Sequence, residues 1–143
     1  MTADAYTAIP IRIARYAQAL DDRDFDAVAA CFTPDAQVTY SGVTLEPGRE
    51  AIVAYLQGLR SLIATTHIMS VPVIELDGYR AHVETSGLAF LVVPTAGDPV
   101  VRTRGLRYAD EFVLQDGQWL IAERVHRCDW MYEGPLAPTT RAT

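Results

Sequence analysis

Two side chains far apart in the chain have the types needed to move a proton between them: Asp21, closing an amphipathic stretch, and His67, heading an apolar one. An imidazole, with an ordinary pKa of ~6.5, is the side chain best matched to proton transfer at neutral pH. A carboxylate on its far nitrogen would fix the tautomer and stabilise the imidazolium as the proton arrives. Tyr16 lies on the inner stripe of the stretch that Asp21 closes, and Tyr40 ends a short strand just before a glycine. Their hydroxyls could donate to a carbonyl or alkoxide as negative charge builds up. The same residues also suit plain duties. A histidine at a strand start is commonly a satisfied structural residue, an aspartate at a helix end a solvated one, and a stripe tyrosine part of the core.

Other chemistries are absent from the sequence. It has no Gly-rich phosphate loop, no H-x-x-x-H or C-x-x-C spacing and no G-x-S-x-G elbow, so neither a metal nor a cofactor is expected. His82 and His126, the remaining histidines, are scattered. Twelve basic against eighteen acidic residues give a net charge of −6, which argues against nucleic acid or an anionic membrane as a partner. Cys31 and Cys128 are too few for a disulfide framework, and the start carries no secretory signal. Reduced, buried thiols in a cytoplasmic protein are expected. The longest apolar run, Leu88 to Val93, is too short to span a bilayer.

Stepping from residues to elements, 143 residues make one domain. Residues 1–7 form a loose lead, 8–132 the domain and 133–143 a flexible tail. Apolar residues at helical spacing predict a helix from Ala8 to Leu20. A short second helix follows Asp24, its stripe Phe25, Val28, Ala29 and Phe32, and Thr33-Pro34-Asp35 breaks it. A brief strand spans Gln37 to Ser41, and a third helix runs from Arg49 to Ile63 with Ile52, Tyr55, Leu56, Leu59 and Ile63 inside. The period then changes to two, predicting strands from Thr65 to Glu75 and Tyr79 to Val93 around Asp77-Gly78.

The clearest local signal is Asp116-Gly117 between two long alternating runs. A two-residue loop sets Leu114 opposite Trp119, Phe112 opposite Ile121 and Tyr108 opposite Val125. Leu106, Tyr108, Phe112, Trp119, Ile121 and Val125 then share one side, with Arg107, Glu111, Arg124 and His126 on the other. That register also opposes Asp110 and Glu123, an unfavourable like-charge pair that a bulge would relieve by shifting the faces. Helices segregated from four long antiparallel strands predict an α+β fold, a curved sheet packed by N-terminal helices into a cone with an apolar cavity.

These residues resemble a known group. The pattern Tyr16-x-x-x-Leu20-Asp21-x-x-Asp24-Phe25-Asp26, then Phe32-x-x-Asp35-Ala36, Thr66-His67, Tyr108-x-Asp110 and Asp116-Gly117-x-Trp119-x-Ile121-x-x-Arg124 is similar to the SnoaL-like branch of the nuclear transport factor 2-like superfamily. The resemblance runs from about Ile9 to Trp130 and implies the α+β cone. It is nearest to the group of scytalone dehydratase, bile-acid dehydratase and hexachlorocyclohexane dehydrochlorinase, which eliminate water or halide without a cofactor. It implies Asp21 and His67 as catalytic residues, with Tyr16, Tyr40, Tyr108 and Phe90 against a small, apolar, oxygenated ring substrate. The residues that handle substrate in the named dehydratases are not kept: Ala89 stands near the second aspartate of the bile-acid enzyme, and Phe90 to Val92 near the second histidine of scytalone dehydratase. Isomerisation or cyclisation therefore stands beside elimination.

Two further readings belong to the same scaffold. One is a non-catalytic binding or assembly subunit, such as the small subunit of a ring-hydroxylating dioxygenase. The other is epoxide hydrolysis, which would draw a carboxylate and an arginine from Glu84, Asp110, Arg107 and Arg124. A homodimer or homotrimer is expected, because an apolar sheet face favours self-association. Whether Arg127 and Trp130 reach the cavity is left open by the sequence.

Overall fold

The structure, a computed structural model, describes residues 4–137. Helix α1 spans Ala5–Asp22, α2 Phe25–Ala29 and α3 Arg49–Leu56, the last continued by a 3-10 turn at Gln57–Ser61. The strands are β1 Phe32–Tyr40, β2 Val43–Thr44, β3 Ala64–Met69, β4 Val73–Asp77, β5 Arg80–Val93, β6 Val100–Gln115 and β7 Gln118–Pro135. They form one sheet in the order β2-β1-β7-β6-β5-β3, with β4 also on β5. The sheet is curved and unclosed, and α1 packs across its inner face against β3 and β7. The α+β architecture expected from the sequence is the one observed.

Several elements differ from expectation for local reasons. Helix α1 begins at Ala5 because Asp4 accepts from Thr7 and Ala8, and buried Ala5 extends the Ile9–Ile13 stripe by a turn. Phe32 belongs to β1, not to α2; Pro34 sits where the β1–β7 register is interrupted, so its missing N–H breaks no ladder bond. β1 runs parallel to β7. The Thr65–Glu75 strand is two, split at Ser70-Val71-Pro72, and both pieces pair with β5. In the third helix Ile52 and Leu56 are buried, but tighter winding after Leu56 turns Ile63 outward to 58% exposure. Of the expected loose ends, residues 1–3 and 138–143 lie outside the described residues, while β7 remains a strand to Pro135.

The β6–β7 hairpin decides the interior. Its turn has two residues, Asp116 and Gly117, both at positive φ (51° and 76°), the type I′ geometry that matches strand twist. Leu114 faces Trp119 and Phe112 faces Ile121, as the turn dictates. The register then shifts, because β7 spends an extra residue, Ala122, before pairing resumes. Tyr108 consequently faces His126, and Asp110 faces Arg124 in place of Glu123. The expected sides of the ribbon are thereby corrected beyond that point. Arg124 and His126 turn inward and are buried, while Val125 is 54% exposed.

Asp110 and Arg124 form a bidentate pair, Nε to Oδ1 and Nη2 to Oδ2, both 2.8 Å, and both side chains are buried. The guanidinium lies over the rings of Tyr16 and Tyr108, at 4.4 and 4.5 Å from their centroids. Burial alone would lower the Arg124 pKa, but the Asp110 carboxylate outweighs it and holds the guanidinium charged. Removing one partner strands a buried charge. Asp110→Ala should therefore destabilise the fold by about 3–5 kcal/mol in urea unfolding. The double variant Asp110→Ala/Arg124→Leu should lose less than the two single losses combined.

Candidate functional site

Helix α1 ends in a left-handed residue that is not glycine. Arg23, at φ 57°, donates its N–H to Leu20 O, and the next N–H, of Asp24, reaches Ala19 O, closing the helix as a Schellman motif. The Arg23 side chain adds a second cap, Nη1 donating to Leu20 O at 2.6 Å and to Thr65 Oγ1 at 2.7 Å. With its proton free, the Thr65 hydroxyl donates to Asp21 Oδ1 at 2.9 Å. Asp21, on the last helical turn, thus meets the start of β3.

His67 completes the contact. Its backbone N–H donates to Asp21 Oδ2 at 2.8 Å and its ring Nδ1 lies 2.7 Å from Oδ1. A carboxylate flanked by three donors accepts, so Nδ1 carries the ring proton in neutral His67 and Nε2 carries the lone pair. The His67 side chain is 7% exposed and lines the main interior cavity, of about 300 Å³. The pair expected from the sequence is in contact, and Nε2 is the nitrogen left for a ligand.

The cavity floor is phenolic. Tyr16 and Tyr40 are buried, with hydroxyl oxygens 2.8 Å apart. One O–H is spent between them, leaving a single proton for a third acceptor. Burial raises the pKa of both, with Tyr16 adding to the rise at Tyr40, so each stays protonated at neutral pH. Tyr108 lines the same wall, its pKa likewise raised by burial. Tyr55 stacks on Tyr40 at 5.1 Å between centroids, at the more exposed rim.

Phe90 is a correction. On β5 the inward residues are Ala89 and Leu91, so Phe90 lies on the opposite face and does not line the cavity. Arg127 and Trp130 do not line it either; Arg127 pairs with Asp129, and the Trp130 indole covers Gly105. The Asp110–Arg124 pair is buried behind the tyrosines and is absent from the cavity wall, which removes the support for epoxide hydrolysis through those two groups.

Three residues that the sequence did not single out complete the wall. His126, on β7, places Nδ1 3.3 Å from Ser41 Oγ, and Arg104 Nη2 donates to the same oxygen at 3.1 Å. Arginine only donates, so the Ser41 hydroxyl accepts there; its second lone pair and its proton let it meet Nδ1 in either neutral tautomer of the His126 ring. Burial, reinforced by Arg104 and Arg124, lowers the His126 pKa to about 4. In its neutral form His67 offers the cavity a lone pair, and in its Nε2–H tautomer His126 offers an N–H. Recognising the bulge at Ala122 from the Asp110/Glu123 clash would have revealed His126; Ser41 and Arg104 gave no comparable signal.

Among the described residues no helix is long and apolar enough to cross a membrane, and no three His, Cys, Asp or Glu residues gather as metal ligands. Cys31 and Cys128 are unpaired, with Cys31 buried.

The Asp21–His67 pair thus presents its imidazole, beside buried phenols, to the cavity of a curved α+β cone. The chain belongs to the SnoaL-like domain family, which matches residues 1–125, within the nuclear transport factor 2-like superfamily. No curated protein matches it. Among solved structures it is similar to a scytalone dehydratase-like protein of Novosphingobium aromaticivorans, at 27% identity over 95% of this chain and 93% of that one, with TM-score 0.79. It is also similar to a variant of Rv3472, a Mycobacterium tuberculosis protein of unknown function, at 29% identity, 85% and 74% coverage and TM-score 0.75. Its fold is shared by the hexachlorocyclohexane dehydrochlorinase of Novosphingobium barchaimii, at 17% identity, 97% and 94% coverage and TM-score 0.77.

The depressed His126 pKa carries a stability consequence. Between its ordinary value of ~6.5 and about 4 the unfolded chain binds a proton that the folded chain refuses, so stability falls as pH drops through that window. The loss should approach about 3 kcal/mol below pH 4. Urea unfolding across the window should show this slope, and His126→Asn should lack it.

Proposed function

We propose that the protein is a cofactor-free acid–base enzyme that eliminates water from an apolar, oxygenated ring compound held in the cone. Isomerisation or cyclisation would share the same first step. The observation that carries this reading is the 2.7 Å Asp21–His67 contact at the edge of a cavity lined mostly by tyrosines and leucines. His67 Nε2 takes a proton from the carbon alpha to a carbonyl, and Asp21 stabilises the resulting imidazolium. The free proton of the Tyr16–Tyr40 pair donates to the carbonyl oxygen as it becomes an enolate. The enolate then expels the beta hydroxyl, which leaves as water after taking the proton from His67. The likeness to a scytalone dehydratase-like structure agrees with an elimination of this kind.

The test uses a panel of cyclic beta-hydroxyketones, followed by the absorbance of the conjugated product. The wild type should convert at least one, and His67→Ala should lower turnover by about 10²–10⁴-fold. Nitrogen NMR of the unliganded protein should find the His67 proton on Nδ1, with that preference lost in Asp21→Asn. Full turnover by His67→Ala, or no conversion of any panel member by the wild type, would refute the reading.

A further inference from the structure

The chain carries a net charge of −6, yet no carboxylate lines its main cavity and one guanidinium does. That guanidinium is Arg104, on the inward parity of β6 with Leu106 and Tyr108. Its neighbour on the same parity, Arg102, is neutralised by Glu133, with Nε and Nη2 donating to Oε1 at 3.1 and 3.0 Å. Arg104 has no carboxylate within 4 Å among the described residues, and it donates one hydrogen bond there, to the neutral Ser41 hydroxyl. An arginine has five N–H donors in a planar fork, so most of its capacity is unspent. Beside it stands His126, which in its Nε2–H tautomer adds a neutral donor to the same wall.

We infer that Arg104, with Ser41 and His126, forms an anion subsite in the cavity, and that the ligand is a ring compound bearing a carboxylate or an ionised phenol. This deepens the proposed function by naming its substrate class; it depends on the cavity being the ligand site but not on proton transfer by His67. The alternative fate of a free cavity arginine is solvation, which demands no ligand charge. What favours recognition is convergence. The Arg104 fork and the His126 ring N–H both offer donors to one wall, Ser41 bridges the two, and among the described residues no side-chain acceptor other than the Ser41 hydroxyl meets them. Donors in that arrangement match a two-oxygen anion, which takes parallel hydrogen bonds from a guanidinium. His67 and the tyrosine hydroxyls, in the same cavity lining, suit the uncharged, reacting end of such a molecule. The ligand would thus be oriented by its charge before any chemistry begins.

Isothermal titration at neutral pH with naphthoate and its uncharged isostere naphthamide tests this directly. The wild type should bind the anion about tenfold more tightly. Arg104→Gln should erase the preference by weakening naphthoate about tenfold more than naphthamide, and Arg104→Lys should keep part of it. Equal affinities in the wild type, a preference surviving in Arg104→Gln, or failure to bind either probe would overturn the inference. His67→Ala separates the two claims: an inactive variant that still prefers the anion supports both, and an active variant that prefers it removes only the proton-transfer reading.

Discussion

The bidentate contact between Asp110 and Arg124 governs the arrangement of everything around the cavity. Two charges taken fully out of water gain little over an apolar pair unless their geometry is close to ideal, and losing either partner is costly. The unbulged hairpin would have set Asp110 against Glu123. One extra residue at Ala122 brings Arg124 into place and, because side chains alternate, turns His126 to the same inner face. The guanidinium then sits against Tyr16 of α1 as well as Tyr108 of β6. A single charge–charge register thereby fixes the helix on the sheet, and the far end of that helix carries Asp21.

That helix end is held by the same economy of partners. Arg23 accepts a left-handed backbone that ordinarily suits glycine, a strain of about 1 kcal/mol or somewhat more. In return its guanidinium ties the Leu20 carbonyl to Thr65, and Thr65 ties to Asp21. A glycine would close the helix with less strain but would lose the link between α1 and β3. The orientation of His67 is thus determined twice, through its own backbone N–H and through its ring, both on one carboxylate. Rotation of the Asp21 carboxylate would break three contacts at once, those from Thr65 Oγ1, the His67 N–H and the His67 ring.

Much of this was legible in the sequence because it follows from local rules. Asp116-Gly117 dictates its turn, and stripe spacing identifies Tyr16 and Asp21 on one helix. Tyr40 and His67 stand out as polar groups on apolar strands, and all four converge on the inner side of the sheet. What was not legible depends on register. The Ala122 bulge inverts the parity of β7 until a second shift at Asp129, so simple alternation puts His126 and Arg124 outside and Val125 inside. The clash between Asp110 and Glu123 was the visible symptom, but alternation alone does not say where along a ribbon the extra residue falls. Phe90 failed for a related reason: a strand apolar on both faces gives no parity, and only pairing with β3 shows that Ala89 faces inward. Ser41 lies in the turn after β1 and Arg104 on β6, and nothing local in either predicts that they meet.

The charges around the cavity also limit what it can do. Three basic side chains face about 300 Å³, two of them imidazoles, and a proton on His67 would further disfavour one on His126. Were both protonated, the wall would gather three positive charges with one carboxylate, Asp21, behind it. The structure avoids this by division. His126 is kept neutral by burial and the arginines, and spends its Nδ1 on Ser41; His67 has its countercharge in place before a proton arrives. Arg104 carries the standing positive charge of the wall. A proton delivered to His67 is shared with Asp21. Under the proposed chemistry, negative charge developing on the ligand oxygen would be met by the free phenol proton of the Tyr16–Tyr40 pair. It would require no further ionisation of the protein.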